Sequence, residues 1–249
     1  MSPMSPRTLR PRQTGRYTAL RVGLTNYWPL NETATTGDVT ATNWVAGGIN
    51  LTSENSVLST TGLQGNGRNF VVANSERMIG NATASSTMFG TANFTVAFWF
   101  RMTSAFVSAN HGLVTNDFFS TQRGTSIYMT GAAGQWRTPF MNLQYADGTE
   151  EVFDAFGIGN LAVATWHFFC ARLSGGTALD VRVNESNATT KTITKAFHTS
   201  RQRLFFGVRY TATEFLGGDL DEVAFWNRRL SDAEVSTLYN SGAGIDLRQ

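Results

Sequence analysis

The chain has 249 residues, of which 15% are charged and 12% aromatic, and its formal net charge is +2. It contains no apolar run of about 18 residues, so we expect no membrane-spanning helix. Its single cysteine cannot form an internal disulfide, which leaves core packing to hold the fold. Thr, Ser, Val and Phe are abundant, and this composition favours strands over helices.

The N-terminal region differs in charge from the rest of the chain. Residues 1–31 carry five arginines and no carboxylate, whereas the remainder holds 15 basic and 18 acidic residues. Three of the five prolines also lie near this terminus, and such spacing favours an extended chain. We therefore predict a basic extended arm over residues 1–23 and one folded domain over 24–249. The predicted partner-binding residues of the arm are Arg7, Arg10, Arg12 and Arg16.

This arm has three interpretations. It is either a disordered tail or a segment that lies along an acidic partner or a neighbouring subunit. Sequence-specific nucleic-acid binding is the weakest interpretation, because the arginines are not interleaved with aromatic residues and no binding motif is present. No apolar segment follows the arginines and prolines of the arm, so we expect no secretory signal. Its few apolar side chains also predict that residues 1–20 are dispensable for folding.

Strand patterns begin after the arm and recur about every ten to fifteen residues. Gly, Asn and Asp separate them, a spacing typical of a sandwich or jelly roll. The segment at 94–101 is a typical buried strand, because large apolar residues alternate with smaller ones. Other predicted strands are 24–30, 49–51, 57–58, 70–72, 112–115, 126–130, 140–145, 151–156, 165–173, 179–184, 191–196 and 203–210. The large side chains predicted to be buried are Trp28, Phe98, Phe100, Trp166, Phe168 and Trp226.

One helix is predicted near the C-terminus. Ser231 and Glu234 fit a capping box, in which each side chain satisfies a backbone amide of the first turn. An apolar stripe follows, formed by Ala233, Val235, Leu238 and Tyr239. Gly242 is the predicted C-cap, where the helix should stop. We expect this helix to cover one end of the sheets.

The chain shows no obvious nucleophile or metal-binding spacing. Cys170 and His167 are three residues apart on a predicted strand, so they should point to opposite faces. We therefore expect Cys170 to be a buried core residue. The histidines His111, His167 and His198 are scattered and do not follow metal-ligand spacing.

Seven segments together resemble the laminin-G-like jelly-roll domains of the concanavalin A superfamily. They are YWPLNE at 27–32, a glycine-rich turn at 62–70, FTVAFWF at 94–100, TWHF at 165–168, LDVRVN at 179–184, LFFG at 204–207 and the closing motif at 215–242. They occur in the expected order and span residues 24–243. The resemblance implies an all-β fold, a two-sheet antiparallel jelly-roll sandwich with one short C-terminal helix.

The resemblance also bears on catalysis. Glycoside hydrolases of this fold carry two glutamates and an aspartate on one strand, so that alternate side chains enter one cleft. Glu150, Glu151 and Asp154 lack that alternation and the third carboxylate. Asp219 and Asp221 share a face, but no third acid follows them. We therefore expect no enzymatic activity and no cofactor.

A structural calcium ion is the one cofactor that the resemblance raises. Related domains often hold calcium between the opening strand and the closing motif, and calcium requires several oxygen ligands. The corresponding residues here are Asp221, Asn31 and Glu32, with asparagine at the usual aspartate position. The alternative is that Asp221 caps a strand end and pairs with an arginine or a backbone amide.

Carbohydrate binding is the second property that the resemblance raises. Sugar sites use exposed aromatic rings for stacking and polar side chains for hydroxyl groups. Trp136, Tyr145 and Trp44 meet this description, because each lies in a predicted loop or at its edge near polar residues. A partner interface or a partly buried loop anchor would explain the same residues.

These features together predict a non-enzymatic structural protein of a virion. It would be a capsid decoration, tail or fibre component, anchored by the basic arm to other virion proteins and assembled with further copies of itself. The arm resembles the starts of small structural proteins of tailed bacteriophages. The alternative is an extracellular, lectin-like carbohydrate-binding module, and a glycoside hydrolase is the least favoured function.

Overall fold

A computed structural model describes residues 17–80, 88–89, 92–103, 110–116, 124–130, 138–154, 160–186, 189–197, 203–209 and 214–249. These residues form two packed antiparallel sheets and a short C-terminal helix, which confirms the predicted all-β jelly-roll sandwich. Within these ranges, no helix is long and apolar enough to cross a membrane. The arm residues Arg7, Arg10, Arg12 and Arg16 lie outside the described residues.

The first sheet has the strand order β14-β13-β12-β7-β18-β5-β4, and β1 also pairs with β18. Its strands are β1 (Leu24–Trp28), β4 (Leu58–Thr61), β5 (Asn66–Phe70), β7 (Phe94–Met102), β12 (His167–Ser174), β13 (Ala178–Val183), β14 (Thr189–Thr192) and β18 (Gly218–Trp226). The second sheet has the order β11-β10-β9-β8-β15-β6-β3-β2. Its strands are β2 (Thr40–Ala41), β3 (Leu51–Glu54), β6 (Arg77–Gly80), β8 (Asn110–Asn116), β9 (Thr125–Thr130), β10 (Thr138–Gln144), β11 (Glu150–Asp154) and β15 (Phe205–Phe206).

Three kinds of short element complete the described chain. A separate hairpin joins β16 (Val208–Arg209) and β17 (Glu214–Phe215). The helices are α1 (Thr18–Arg21) and α2 (Asp232–Tyr239). Two 3₁₀ turns cover Val72–Asn74 and Asn240–Gly242.

The main core lies between the two sheets. Alternate side chains of β7 point into it, and Phe98 stacks on Phe169 of β12 with ring centroids 5.0 Å apart. Trp28 is also fully buried, and its indole Nε1 donates a hydrogen bond to the Ile49 carbonyl at 2.7 Å. The predicted burial is wrong for Trp166, which is only partly buried. The Arg101 guanidinium lies over its ring, 4.8 Å from the ring centroid.

A second apolar cluster covers the outer face of the first sheet. Trp99, Phe168 and Trp226 project from that face, and Leu238 of α2 packs against them. Cys170 is buried in the same cluster, as expected, and burial raises the pKa of its thiol to about 12. The helix therefore lies on a sheet face, and the expectation that it covers one end of the sheets was wrong.

The N-terminal segment 17–23 belongs to this second cluster. Tyr17 and Leu20 are buried, and the Leu20 carbonyl accepts a hydrogen bond from Trp226 Nε1 at 2.6 Å. Arg21 Nε donates to the Leu247 carbonyl at 2.7 Å, which ties the two ends of the folded chain together. The predicted arm of residues 1–23 therefore includes a segment that packs on the sandwich.

Helix α2 starts as predicted and ends differently. Ser231 and Glu234 form the capping box in both directions. The helix ends at Asn240, which adopts a left-handed conformation with φ of 48°, so the predicted stop at Gly242 lies two residues too far along. Ala233 is exposed and takes no part in the apolar stripe.

The β16–β17 hairpin packs on the outer face of the second sheet. Thr115 Oγ1 of β8 donates to the Val208 carbonyl at 2.9 Å. Gly112 allows this close approach, because a Cβ atom there would lie 2.0 Å from the Val208 carbonyl carbon. The hairpin thus lies on β8, and its Arg209 Nε reaches Ser126 Oγ of β9 at 3.3 Å.

Candidate functional site

The outer face of the second sheet carries aromatic and polar side chains side by side. Strand alternation sends Ile127, Met129, Met141 and Leu143 inward to the main core. It sends Ser126, Tyr128, Phe140, Asn142 and Glu150 to the other side, and we call these five residues the β9–β11 face. Tyr128 pairs with Phe140 and Ser126 with Asn142 across the ladder.

Two aromatic rings form one end of the β9–β11 face. Tyr128 and Phe140 stack with centroids 5.7 Å apart and planes 30° apart. The Arg209 guanidinium lies 3.6 Å from the Tyr128 ring centroid, and its Nη1 is 3.3 Å from Glu214 Oε2. Burial raises the pKa of Tyr128, although Arg209 acts in the opposite direction. Tyr128 is buried and Phe140 only partly so, which leaves Phe140 as the accessible ring.

Asn142 lies beside these rings and has unused hydrogen-bonding capacity. Its side chain is 2% exposed, and its Nδ2 donates to Glu150 Oε2 at 3.0 Å. Its Oδ1 is buried without a hydrogen-bond partner. An unsatisfied buried acceptor costs about 1–3 kcal/mol, so Asn142 is held here at a cost, and what it contributes at the surface is the orientation of the exposed Glu150 carboxylate.

Of the three predicted sugar-binding aromatics, the structure describes Tyr145 and Trp44, whose rings contact different neighbours. Trp136 lies outside the described residues, two positions before β10 in sequence. Tyr145 follows β10 but is buried, and its hydroxyl donates to Glu151 Oε2 at 2.6 Å. Its ring is therefore unsuited to stacking on a ligand. Trp44 is 41% exposed. Its ring and that of Tyr27 meet in a T-shaped arrangement with centroids 6.2 Å apart, and the Arg21 guanidinium lies 5.2 Å from the Trp44 ring centroid.

The predicted calcium ligand Asp221 is used to hold a turn. Its Oδ2 accepts hydrogen bonds from the backbone amides of Leu63 at 2.7 Å and Gln64 at 3.2 Å. Its Oδ1 accepts from the Glu222 amide at 2.9 Å. Burial raises the pKa of Asp221 to about 7 against the effect of these three amides. This arrangement matches the alternative in which Asp221 pairs with backbone amides.

The other two predicted ligands have separate partners. Asn31 Oδ1 accepts from the Asn66 amide at 2.8 Å, and Gly65 has φ of 93° where a side chain would strike that oxygen. Glu32 Oε2 pairs with the fully buried Arg68 at 2.9 Å. Among the described residues, no group of three or more His, Cys, Asp or Glu side chains could hold a metal ion. Each of the three side chains therefore has a protein partner, and the calcium site stays a prediction.

A buried acidic cluster lies under the C-terminal segment and was not predicted. The Tyr27 hydroxyl contacts Glu222 Oε2, and it also lies 3.1 Å from Asp246 Oδ1. It accepts a hydrogen bond from the Leu247 amide at 3.1 Å. Burial and the nearby Asp221 raise the pKa of Glu222 well above its ordinary value. One hydroxyl hydrogen cannot serve two carboxylates, so this geometry favours a protonated Glu222.

The backbone at Glu222 explains why sequence reasoning missed this cluster. Glu222 has φ of 52° and lies at an irregularity in the pairing of β18 with β7. A regular strand would send Asp221 and Glu222 to opposite faces, and a bulge redirects side chains in a way that the pattern does not reveal. The nearest sequence signal is the acidic pair itself within an apolar strand.

Comparison with known proteins places the fold in a family. The family model described as the concanavalin A-like lectin/glucanases superfamily matches residues 78–236. The chain belongs to this superfamily. A search of curated proteins found no significant match.

Solved structures show the same fold at low sequence identity. The binding domain of Paraclostridial Mosquitocidal Protein 1 has a TM-score of 0.68 and 15% identity, with 90% of this chain and 53% of that chain covered. The botulinum neurotoxin serotype D binding domain has a TM-score of 0.63 and 12% identity, and the match covers 88% of this chain and 51% of that chain. A third structure is Domain 4 of AbnA, an extracellular arabinanase from Geobacillus stearothermophilus, solved in complex with arabinotriose. It has a TM-score of 0.60 and 12% identity, and the match covers 89% of this chain and 98% of that chain. The chain thus spans about half the length of the toxin binding domains.

The superfamily includes glucanases, so the partners of the carboxylates in this chain bear on the question of catalysis. Asp219 is buried, with Oδ2 2.6 Å from Arg101 Nε and Oδ1 accepting from Asn69 at 2.7 Å. Glu150 accepts from Asn142, and Glu151 accepts from Tyr145. Each of these acids therefore has a structural partner. The fold is shared with the binding domains of two toxins and with Domain 4 of the arabinanase.

Proposed function

We propose that this chain is a non-catalytic carbohydrate-recognition module whose ligand lies on the β9–β11 face. The observation that carries the proposal is the accessible Phe140 ring on the same face as the exposed Glu150 carboxylate, which Asn142 Nδ2 holds at 3.0 Å. A sugar presents hydroxyl donors and an apolar C–H face, and it would satisfy both features at once. The comparison with a domain solved with arabinotriose makes a saccharide the first ligand class to test.

The chemistry of the face suits a neutral saccharide. Phe140 offers its free ring surface for stacking, while Tyr128 fixes its orientation from one side. The exposed Glu150 carboxylate accepts hydroxyl hydrogens, and the Asn142 amide holds this carboxylate in place. Val152, 41% exposed on the neighbouring edge strand, extends the apolar surface. Such sites are mainly apolar, with a few placed polar groups that fix ligand orientation.

A glycan array with wild type and Asn142→Ala tests this proposal. We expect wild type to bind a subset of neutral oligosaccharides and Asn142→Ala to lose those signals, because the Glu150 carboxylate then loses the donor that holds it. Asn55→Ala is the matched control, since Asn55 is exposed and its Nδ2 bonds to the Ser75 carbonyl away from the face. Binding that is equal in all three proteins contradicts the proposed site. No binding by folded wild type contradicts the proposed function.

The arm supports a second candidate, anchoring of the domain in a virion. Residues 1–16 hold four arginines and no carboxylate, while residues 17–249 hold 16 basic and 18 acidic residues. Each exposed ion pair contributes only about 0–1 kcal/mol, so several must act together on an acidic surface. In this role the chain would join other virion proteins and copies of itself, with the sandwich facing outward.

Incorporation into particles tests this second candidate. A protein starting at Tyr17 should fold normally but fail to co-sediment with particles that bind the full chain. A matched full-length variant with the four arm arginines changed to glutamine should fail in the same way, because charge is the proposed contact. Normal co-sedimentation of both proteins contradicts the anchoring role.

A further inference from the structure

A groove on the opposite sheet separates helix α2 from the end of strand β13. It has a volume of about 260 Å³ and is lined by Arg182, Asn184, Glu185, Val235, Ser236 and Tyr239. We call it the helix groove. Sites for small molecules usually occupy about 300–1,000 Å³, so this groove suits one small ligand. It lies on the outer side of the first sheet, whereas the β9–β11 face belongs to the second.

The walls of the helix groove are fixed by contacts on both sides. The Tyr239 ring stacks on Trp99 with centroids 5.7 Å apart and planes 11° apart. Asn184 Oδ1 accepts from the Phe168 amide at 2.9 Å, which fixes the residue after β13. Arg182 Nη2 pairs with Asp232 Oδ1 at 2.5 Å, joining the strand to the first turn of α2. A site with walls already in place loses little free energy to ordering when a ligand binds.

The lining of the helix groove offers both donors and acceptors without net charge. Arg182 and Glu185 contribute opposite charges, and Arg182 Nε has no hydrogen-bond partner. The exposed Ser236 hydroxyl both donates and accepts. Burial and the neighbouring Glu185 raise the pKa of Tyr239, so its hydroxyl remains protonated. An anionic ligand would meet the Glu185 carboxylate, whereas neutral hydroxyl groups can pair with every one of these side chains.

We propose that the helix groove is a second binding site, which takes one neutral sugar residue or a similar polyol. The proposal is independent of the function assigned to the β9–β11 face. The two sites lie on opposite sheets, so the domain would bind two ligands or two branches of one glycan at once. Linking two weak sites in this way raises the overall affinity without new contacts.

Amide-resolved NMR titration tests the groove directly. The probes are glucose, galactose, arabinose and N-acetylglucosamine at millimolar concentrations, with glucuronate as the charged comparison. We expect saturable shifts at the amides of Glu185, Ser236 and Tyr239 with at least one neutral sugar, and weaker shifts with glucuronate. Absence of saturable shifts with every neutral sugar, or binding of glucuronate alone, overturns the proposal.

Two adjacent helix positions give a matched pair of variants. Ser236→Trp fills the groove and should weaken binding at least about tenfold, or 1.4 kcal/mol. Thr237→Trp adds the same bulk at an exposed position that does not line the groove, and it should bind as wild type does. Equal binding by both variants overturns the proposal.

Two further proteins keep the result interpretable. If Ser236→Trp does not fold, Glu185→Gln replaces it, and this change should raise binding of glucuronate relative to glucose. An unchanged ratio then overturns the proposal. Phe140→Ala should retain the groove shifts, because the β9–β11 face is a different site. Loss of the groove shifts in Phe140→Ala would show that they report the face, and this result also overturns the proposal.

Discussion

Single residues in this protein divide into those that hold the core and those that carry unusual chemistry. Phe98 belongs to the first group, since it is fully buried and stacked on Phe169. Asp221 and Glu222 belong to the second, because two adjacent carboxyls are buried in one strand. The first group follows from strand patterning. The second depends on a bulge that no sequence pattern marks.

Phe98→Ala should lower the free energy of unfolding by about 3–5 kcal/mol, the usual cost of removing a buried aromatic ring. Chemical denaturation of wild type and variant measures this difference. Val71→Ala serves as the control, because Val71 is 38% exposed and should change stability little. A Phe98→Ala protein as stable as the control would show that the assignment of inward-facing residues on β7 is wrong.

Glu222 should make the domain less stable as the pH rises. Its pKa is raised in the folded state, so the folded protein binds a proton more tightly than the unfolded chain does. The stabilisation is complete below the ordinary glutamate pKa of about 4.3 and is lost as the pH rises through the folded value. Asp221, with a pKa raised to about 7, acts in the same direction.

Melting temperatures of wild type and Glu222→Gln between pH 4 and 8 test this behaviour. The variant cannot ionise at this position, so its stability relative to wild type should increase steadily over that range. The limiting slope for one proton is about 1.4 kcal/mol per pH unit. Glu185→Gln is the matched control at an exposed position. A difference between wild type and Glu222→Gln that stays constant with pH contradicts the inferred protonation.

At the scale of elements, local signals predicted the helix and most strands but not what they pack against. The capping box of Ser231 and Glu234 located the start of α2, because it is a local pattern. The face on which α2 lies depends on Trp99 and Phe168, which are distant in sequence. The segment 17–23 was assigned to the arm for its charge, yet the buried Leu20 ties it to the first sheet.

Truncation separates the arm from the folded segment. A protein starting at Tyr17 should melt as the full chain does, whereas one starting at Leu24 should be clearly less stable. The shorter protein exposes the cluster that Tyr17 and Leu20 cover and loses the bond from Trp226 to the Leu20 carbonyl. Burying one such side chain contributes about 1.5–3 kcal/mol. Equal melting temperatures for the two proteins would contradict the observed packing.

At the scale of the whole molecule, the order of seven weak motifs was enough to predict the sandwich. The site was harder to predict, because sugar-binding residues were sought among aromatics in loops. Tyr145 proved to be buried. Phe140 and Asn142 lie within β10, a segment for which the sequence predicted a strand but which drew attention to neither residue as a binding residue. The face depends on how β9, β10 and β11 align, and the sequence of each strand alone does not give that alignment.

The measurement that tests the central claim most directly is the affinity of an array-selected oligosaccharide for three proteins by calorimetry. Phe140→Ala removes the accessible ring of the β9–β11 face, and Trp44→Ala removes an exposed ring elsewhere on the domain. Stacking on an aromatic ring predicts at least about a tenfold weaker affinity for Phe140→Ala, or 1.4 kcal/mol, and no change for Trp44→Ala. Unchanged binding by Phe140→Ala, with loss in Trp44→Ala, would contradict the claim and move the site to Trp44.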